Sequence, residues 1–99
     1  MNDTCKLAKK AIRGNVDAYG KLIEQHKEYL YCTAMLYMKN EEDALDAVSE
    51  CVLKGFRNIK KLKEPEHFKT WITRILINVV NDAYNKKTSF SDINEFALV

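Results

Sequence analysis

Chain breakers are scarce in this sequence: three glycines and one proline among 99 residues. Loop-dominated, collagen-like and low-complexity chains need far more of both, so a compact, helix-rich domain is implied. The length leaves room for one hydrophobic core and excludes a multidomain enzyme. Long apolar runs are missing as well. No stretch approaches the ~18 residues that a bilayer-crossing helix requires, and the start, MNDTCKLAKKAIRGN, holds no apolar segment of signal-peptide type. A cytoplasmic protein is the expectation.

Clusters of reactive side chains are equally sparse. Cys5, Cys32 and Cys51 lie far apart, with no CxxC spacing and no histidine at zinc-ligand distance. They read as reduced thiols, with Cys51 in the core. His26 and His67 stand alone, the first as a core or boundary residue, the second as a first-turn residue or a phosphate contact. No nucleophile sits beside a base, no glycine-rich loop offers to cradle phosphate, and no carboxylate pair accompanies a metal ligand. The sequence therefore predicts a protein that is not an enzyme and holds no metal or cofactor.

What the chain does have is helical periodicity, with 46% apolar and 30% charged residues and no period-2 alternation. The expected fold class is all-α, a compact bundle of three long helices plus a short N-terminal helix. The first helix spans about Thr4 to Arg13 and stops at Gly14. The second, capped by Asn15, covers about Asp17 to Met38 and turns Tyr19, Leu22, Ile23, His26, Leu30, Thr33, Ala34 and Tyr37 inward. Asn40 followed by Glu41, Glu42 and Asp43 starts the third, because a side-chain cap and three carboxylates suit the positive end of a helix dipole. Its core stripe is Ala44, Ala47, Val48, Cys51, Val52, Gly55, Phe56 and Ile59. A basic connector ending at Pro65 leads to the fourth helix, about Glu66 to Lys86, which buries Phe68, Trp71, Ile72, Ile75, Leu76, Val79 and Ala83. Residues 88–99 lack a clear amphipathic face and read as a tail.

The net charge of +2 is unevenly spread. Residues 1–38 carry six basic and four acidic groups, 39–53 one and five, 54–87 nine and three, and 88–99 none and two. An acidic half-helix followed by a basic segment suggests two partners on two faces, one of them a polyanion; each block read alone is also compatible with a solvated face. On the third helix the outward residues are Leu45, Asp46, Ser49, Glu50 and Leu53. Leucines among carboxylates suit a protein-docking helix, unless the first helix covers them. On the fourth, Arg74, Asn78, Asn81 and Asn85 share the outward ridge. Three asparagines are poor helix formers, so propensity did not select them. Arg and Asn side chains make bidentate contacts to base edges, while Lys60, Lys61 and Lys63 suit phosphates, and Arg57 and Lys86 are counted among the same DNA-binding residues. Phe56, Phe68 and Trp71 lie near enough to stack on bases, although all three fall on core stripes.

From about Asn15 to Lys87 the chain resembles region 2 of bacterial sigma factors of the extracytoplasmic-function group. The resemblance is carried by GNVDAYGKLIEQHKEYLYCTAMLYMKNEEDALDAVSECVLKGFRNI and FKTWITRILINVVNDAYNKK, above all by the spacing of Phe68, Trp71, Arg74, Ile75 and Asn78. It implies that the third helix docks on the clamp helices of the largest RNA polymerase subunit through Asp46, Ser49 and Glu50, flanked by Leu45 and Leu53. Ser49 stands where the family usually has glutamine, so one hydrogen bond is lost or replaced. The resemblance further implies that the fourth helix and connector read the promoter -10 element and hold its non-template single strand, one base entering a pocket beside Leu62. Arg74 and Asn78 match reading positions; Trp71 matches a tryptophan that is partly structural. Such factors commonly have an anti-sigma partner, and RNA synthesis itself belongs to the polymerase.

Two other readings remain at this point: a helical module that binds only protein, and a helix-turn-helix reader of duplex DNA. Arg74, Asn78 and the lysines count against the first, and the missing tight glycine turn counts against the second. Residues 1–87 are expected to form the domain, with 88–99 beginning a linker toward a second, -35-reading domain absent from this chain.

Overall fold

The computed structural model describes the backbone of residues 3–98 and the side chains of 3–85. Four α-helices follow one another: α1 (Asp3–Ile12), α2 (Val16–Met38), α3 (Glu41–Asn58) and α4 (Phe68–Leu98), with 3-10 turns at Ile59–Lys61 and Pro65–His67 between the last two. Among the described residues there is no strand, and the all-α bundle stands as expected.

Local chemistry sets each boundary. Gly14 adopts a φ of 105°, open to glycine and strained for other residues, and lets the chain reverse after α1. The Asn15 side chain accepts the Ala18 backbone N–H at 2.9 Å and caps α2. At the other end Lys39 takes the left-handed conformation, φ 63°, and its N–H donates to the Met35 carbonyl. Asn40 then caps α3, accepting the Asp43 N–H at 2.8 Å while its own amide donates to the Asp43 carboxylate at 2.8 Å. Only Lys39 and Asn40 separate α2 from α3, so the two helices pair antiparallel.

The largest fully buried side chains are Leu22 and Leu30 of α2, Cys51 of α3, and Phe68, Ile72 and Leu76 of α4. His26 is buried beside them; its Nδ1–H donates to the Leu22 carbonyl at 2.7 Å, which fixes the tautomer, and its ring stands 5.2 Å from that of Phe68. Tyr19 donates to the Val52 carbonyl at 2.6 Å and ties α2 to α3. Cys51 Sγ lies 3.5 Å from the Ile72 carbonyl, tying α3 to α4. A Cβ on Gly55 would meet Tyr19 Oη at 2.5 Å and Ile72 Cδ1 at 2.6 Å, so the three helices converge there on an atom that has to be hydrogen.

Several expectations need correction. Tyr37 and Phe56, placed on core stripes by periodicity, are exposed. α1 is short: Thr4, near its start, bonds Gln25 of α2 at 2.8 Å, so α1 does not extend along α2 to the level of Tyr37. Leu36 faces water as well, and Tyr29 is exposed in part, with the Lys69 ammonium of α4 4.3 Å from the centre of its ring. Phe56 rests one face on Tyr19, ring centres 5.4 Å apart, and presents the rest to solvent. Val80, left off the expected stripe, is buried. Proline at 65 opens a 3-10 turn, so the fourth α-helix begins at Phe68 and not at Glu66. It then passes Lys86 and continues to Leu98, since no glycine or proline interrupts it. The tail expected at 88–99 is therefore helical to Leu98, and Val99 lies outside the described residues.

Candidate protein-docking and nucleic-acid surfaces

The outer ridge of α3 brings Asp46, Ser49, Glu50, Leu53, Lys54 and Arg57 together along one shallow groove of about 600 Å³. These positions recur at intervals of three and four, which keeps them on one side of the helix. Glu50 and Lys54 pair across one turn at 3.5 Å, a surface contact of small energetic weight. Leu53 and Leu45 are each 50% exposed, so α1 does not cover them. Leu45 faces the neighbouring hollow of about 720 Å³, floored by Tyr31 and Val48 and edged by Glu24, Glu28 and Glu41. Four of the five expected docking residues thus share a groove, and the fifth stands on the adjoining one. Arg57, expected with the nucleic-acid contacts, lines the α3 groove.

The acidic character of this side extends further than α3. Asp43, Asp46 and Glu50 line a hollow of about 180 Å³ together with Asp82 of α4. Residue spacing alone did not reveal that Asp82 joins them; antiparallel packing of α3 and α4 brings it there. Among the described residues no group of three or more His, Cys, Asp or Glu is arranged to hold a metal ion.

A second surface forms at the opposite end of α4. Leu62, Lys63, Glu64, His67, Thr70, Trp71 and Arg74 line an open pocket of about 410 Å³. The connector makes one wall and the first turns of α4 the other. Leu62 is only 5% exposed and serves as an apolar wall, not a projecting contact. Trp71 is half-buried, its ring 6.0 Å from that of Phe68, with the remaining face on the pocket. Phe68 itself is wholly buried and has no face to offer a base. Lys60 and Lys61 are exposed on the first 3-10 turn, and Lys63 and Arg74 reach the pocket rim. Beyond the pocket, Asn78, Asn81 and Asn85 continue the exposed ridge. The side chain of Lys86 lies outside the described residues. Glu64, absent from the residues picked out by sequence, enters the pocket because the chain is extended just before Pro65.

Burial pushes the Cys51 thiol up to about 12. Burial, and secondarily the neighbouring Cys51, raises the Tyr19 phenol further still. A hydrogen bond with Glu24 raises exposed Lys27. Among the described residues no helix is long and apolar enough to cross a membrane.

The sigma-70 region 2 family model matches residues 22–90, a span that contains both surfaces. RNA polymerase sigma factor SigV of Bacillus subtilis is 35% identical over 65 residues, 66% of this chain and 39% of that protein. The ECF RNA polymerase sigma factor SigW of the same organism is 27% identical over 82 residues, 83% of this chain and 44% of its own length. A probable RNA polymerase sigma factor of Haemophilus influenzae is 33% identical over 68 residues, 69% of this chain and 35% of that protein. The chain thus spans less than half the length of each of these relatives. The match across α2, α3, the connector and α4 establishes that the chain belongs to the sigma-70 region 2 family, in its extracytoplasmic-function group.

Proposed function

We propose that this domain serves transcription initiation by joining RNA polymerase to promoter DNA, docking through α3 and holding the melted -10 strand on α4 and the connector. The observation that carries the reading is the separation of surfaces. An acidic, leucine-bearing ridge lies on α3, and a basic pocket with an exposed Arg-Asn ridge lies on α4. Burying the open halves of Leu45 and Leu53 against the clamp contributes about 1 kcal/mol each, half the value for a complete leucine. Asp46 and Glu50 supply register and association rate more than affinity.

On the DNA side no covalent step is needed. Unstacking a base costs a few kcal/mol, which an enclosed site and a basic track offset. The pocket of about 410 Å³ accepts one nucleotide, with the free face of Trp71 for stacking. Arg74 and Asn78 lie one turn apart and present donors and acceptors to base edges, while Lys60, Lys61 and Lys63 take phosphates. The anti-sigma partner usual for this family belongs to the same proposal.

Fluorescence anisotropy with single-stranded and duplex -10 oligonucleotides tests the DNA half, and a clamp pull-down tests the other. Asn78→Ala should weaken binding to the -10 single strand about 5- to 150-fold, from the roughly 1–3 kcal/mol of one bidentate base contact, with clamp association unchanged. Asp46→Arg should abolish clamp association and leave strand binding intact. Preference for duplex over single strand favours a duplex reader and overturns this assignment. Clamp binding without any DNA affinity would leave a protein-only module.

A further inference from the structure

α1 has no part in the two surfaces described above, yet its exposed side is strongly patterned. Lys6, Lys9, Lys10 and Arg13 recur at intervals of three, one and three, which places them on one stripe opposite buried Ala8 and Ala11. All four are exposed. Among the described residues the ion pairs are Lys27–Glu24 and Lys54–Glu50, so none of the four is neutralised by a carboxylate. Like charges three and four residues apart on a helix destabilise it by a few tenths of a kcal/mol per pair. Lys9, Lys10 and Arg13 lie at the C-terminal end of α1, where the helix dipole offsets part of that cost; Lys6, near the other end, has no such compensation.

The surroundings extend the positive field. Lys21 of α2 faces Lys6 and Lys10 across a groove of about 550 Å³, where Asp3 and Glu24 also lie; Glu24 is engaged by Lys27 at 2.8 Å. α1 also packs against both 3-10 turns, the first of which carries Lys60 and Lys61.

We propose that the Lys6, Lys9, Lys10 and Arg13 stripe holds the sugar-phosphate backbone of duplex DNA adjoining the strand read by α4. The location of that duplex rests on the reading given above. The stripe itself argues for phosphates in a stacked duplex. α1 itself exposes no aromatic side chain to stack on a free base and no Asn or Gln to read an edge, and Gln25 of α2 in the adjoining groove is engaged by Thr4 at 2.8 Å, whereas single-strand surfaces combine basic groups with stacking platforms. From Lys6 to Arg13 the helix rises about 10 Å, and duplex DNA presents a negative charge about every 1.7 Å of its axis. Two or three phosphates are within reach of the four side chains.

The test compares the 99-residue chain with Lys9→Glu/Arg13→Glu and with the milder Lys9→Gln/Arg13→Gln. Each is titrated against a -10 single strand and against the same strand extended by a duplex arm, at several salt concentrations. The wild-type chain should bind the arm-bearing probe more tightly. The Gln pair should reduce the slope of log K against log salt by about 2 on that probe alone, the loss of two phosphate contacts. The Glu pair should lose at least as much, and both should bind the single strand unchanged. An unaltered slope, an equal loss on the single strand, or a loss appearing only in polymerase association overturns the inference. A scrambled arm must give the same increment. If base-specific strand binding fails while that increment survives, the α4 reading falls and the α1 surface stands.

Discussion

At the scale of single residues, the clearest contrast is between the cysteines. Cys32 is exposed on α2 and Cys51 is buried against the Ile72 carbonyl. A thiol reagent consumes thiolate, and burial suppresses that form at Cys51. Cys32 should therefore be modified within minutes at pH 8, and Cys51 only when the chain opens, which mass spectrometry of timed samples resolves. The same burial links stability to pH. Folded Cys51 keeps its proton up to about pH 12, against an ordinary value of 9.0, and Tyr19 shifts in the same direction. Between those limits the unfolded chain releases protons that the folded chain retains, so the contribution is complete below pH 9.0 and is lost as pH rises toward 12. Melting temperatures should fall across that window, and Cys51→Val should flatten the early part of the fall. Burial of Cys51 was legible from its place in the stripe Ala44, Ala47, Val48, Cys51. The pocket role of Glu64 was not, because it depends on the extended backbone that Pro65 imposes on its predecessor.

At the scale of elements, the two helical glycines make opposite predictions. Gly20 lies on the exposed side of α2 with nothing within 4 Å of an added Cβ. Gly20→Ala should stabilise the domain by about 0.5–1 kcal/mol through helix propensity. At Gly55 the same change meets a phenol oxygen held in a hydrogen bond, so it should cost about 1–3 kcal/mol despite the propensity gain. Urea titrations of both variants check the pair; matching signs would contradict the packing described. Helix identities and caps were readable because Asn15, Asn40 and Gly14 mark them locally. The length of α4 was not, since a weak amphipathic pattern after Lys86 does not by itself stop a helix. Exposure of Tyr37 and Phe56 also escaped periodicity, which reports the face a residue shares and not whether a neighbour reaches far enough to cover it.

At the scale of the whole molecule, charge is sorted along the bundle. Asp43, Asp46, Glu50 and Asp82 gather where α3 begins and α4 is in mid-course, while Lys63 and Arg74 gather where the connector enters α4. On the function proposed above, the two partners would therefore approach different regions without competing. The milder Asp46→Ala and Asn78→Ala should therefore combine additively in assembling a polymerase–DNA complex, within about 0.5 kcal/mol, as a double-mutant cycle measures. The sorting was visible in the segment charges, and Arg57 joins the α3 groove through the same spacing of three and four as its neighbours, but the entry of Asp82 into the acidic region required the antiparallel packing itself.

The close approach at Gly55 bears on how such a complex is measured out in space. Tyr19, Gly55 and Ile72 meet with no compressible gap, and close-packed interiors deform little. The ridge on α3 and the ridge on α4 are consequently held at one separation and one tilt, as on a gauge block. On the function proposed above, a clamp seated on α3 would fix where along the duplex the α4 surface meets a base, and the promoter would have to match the spacing that the packed bundle sets.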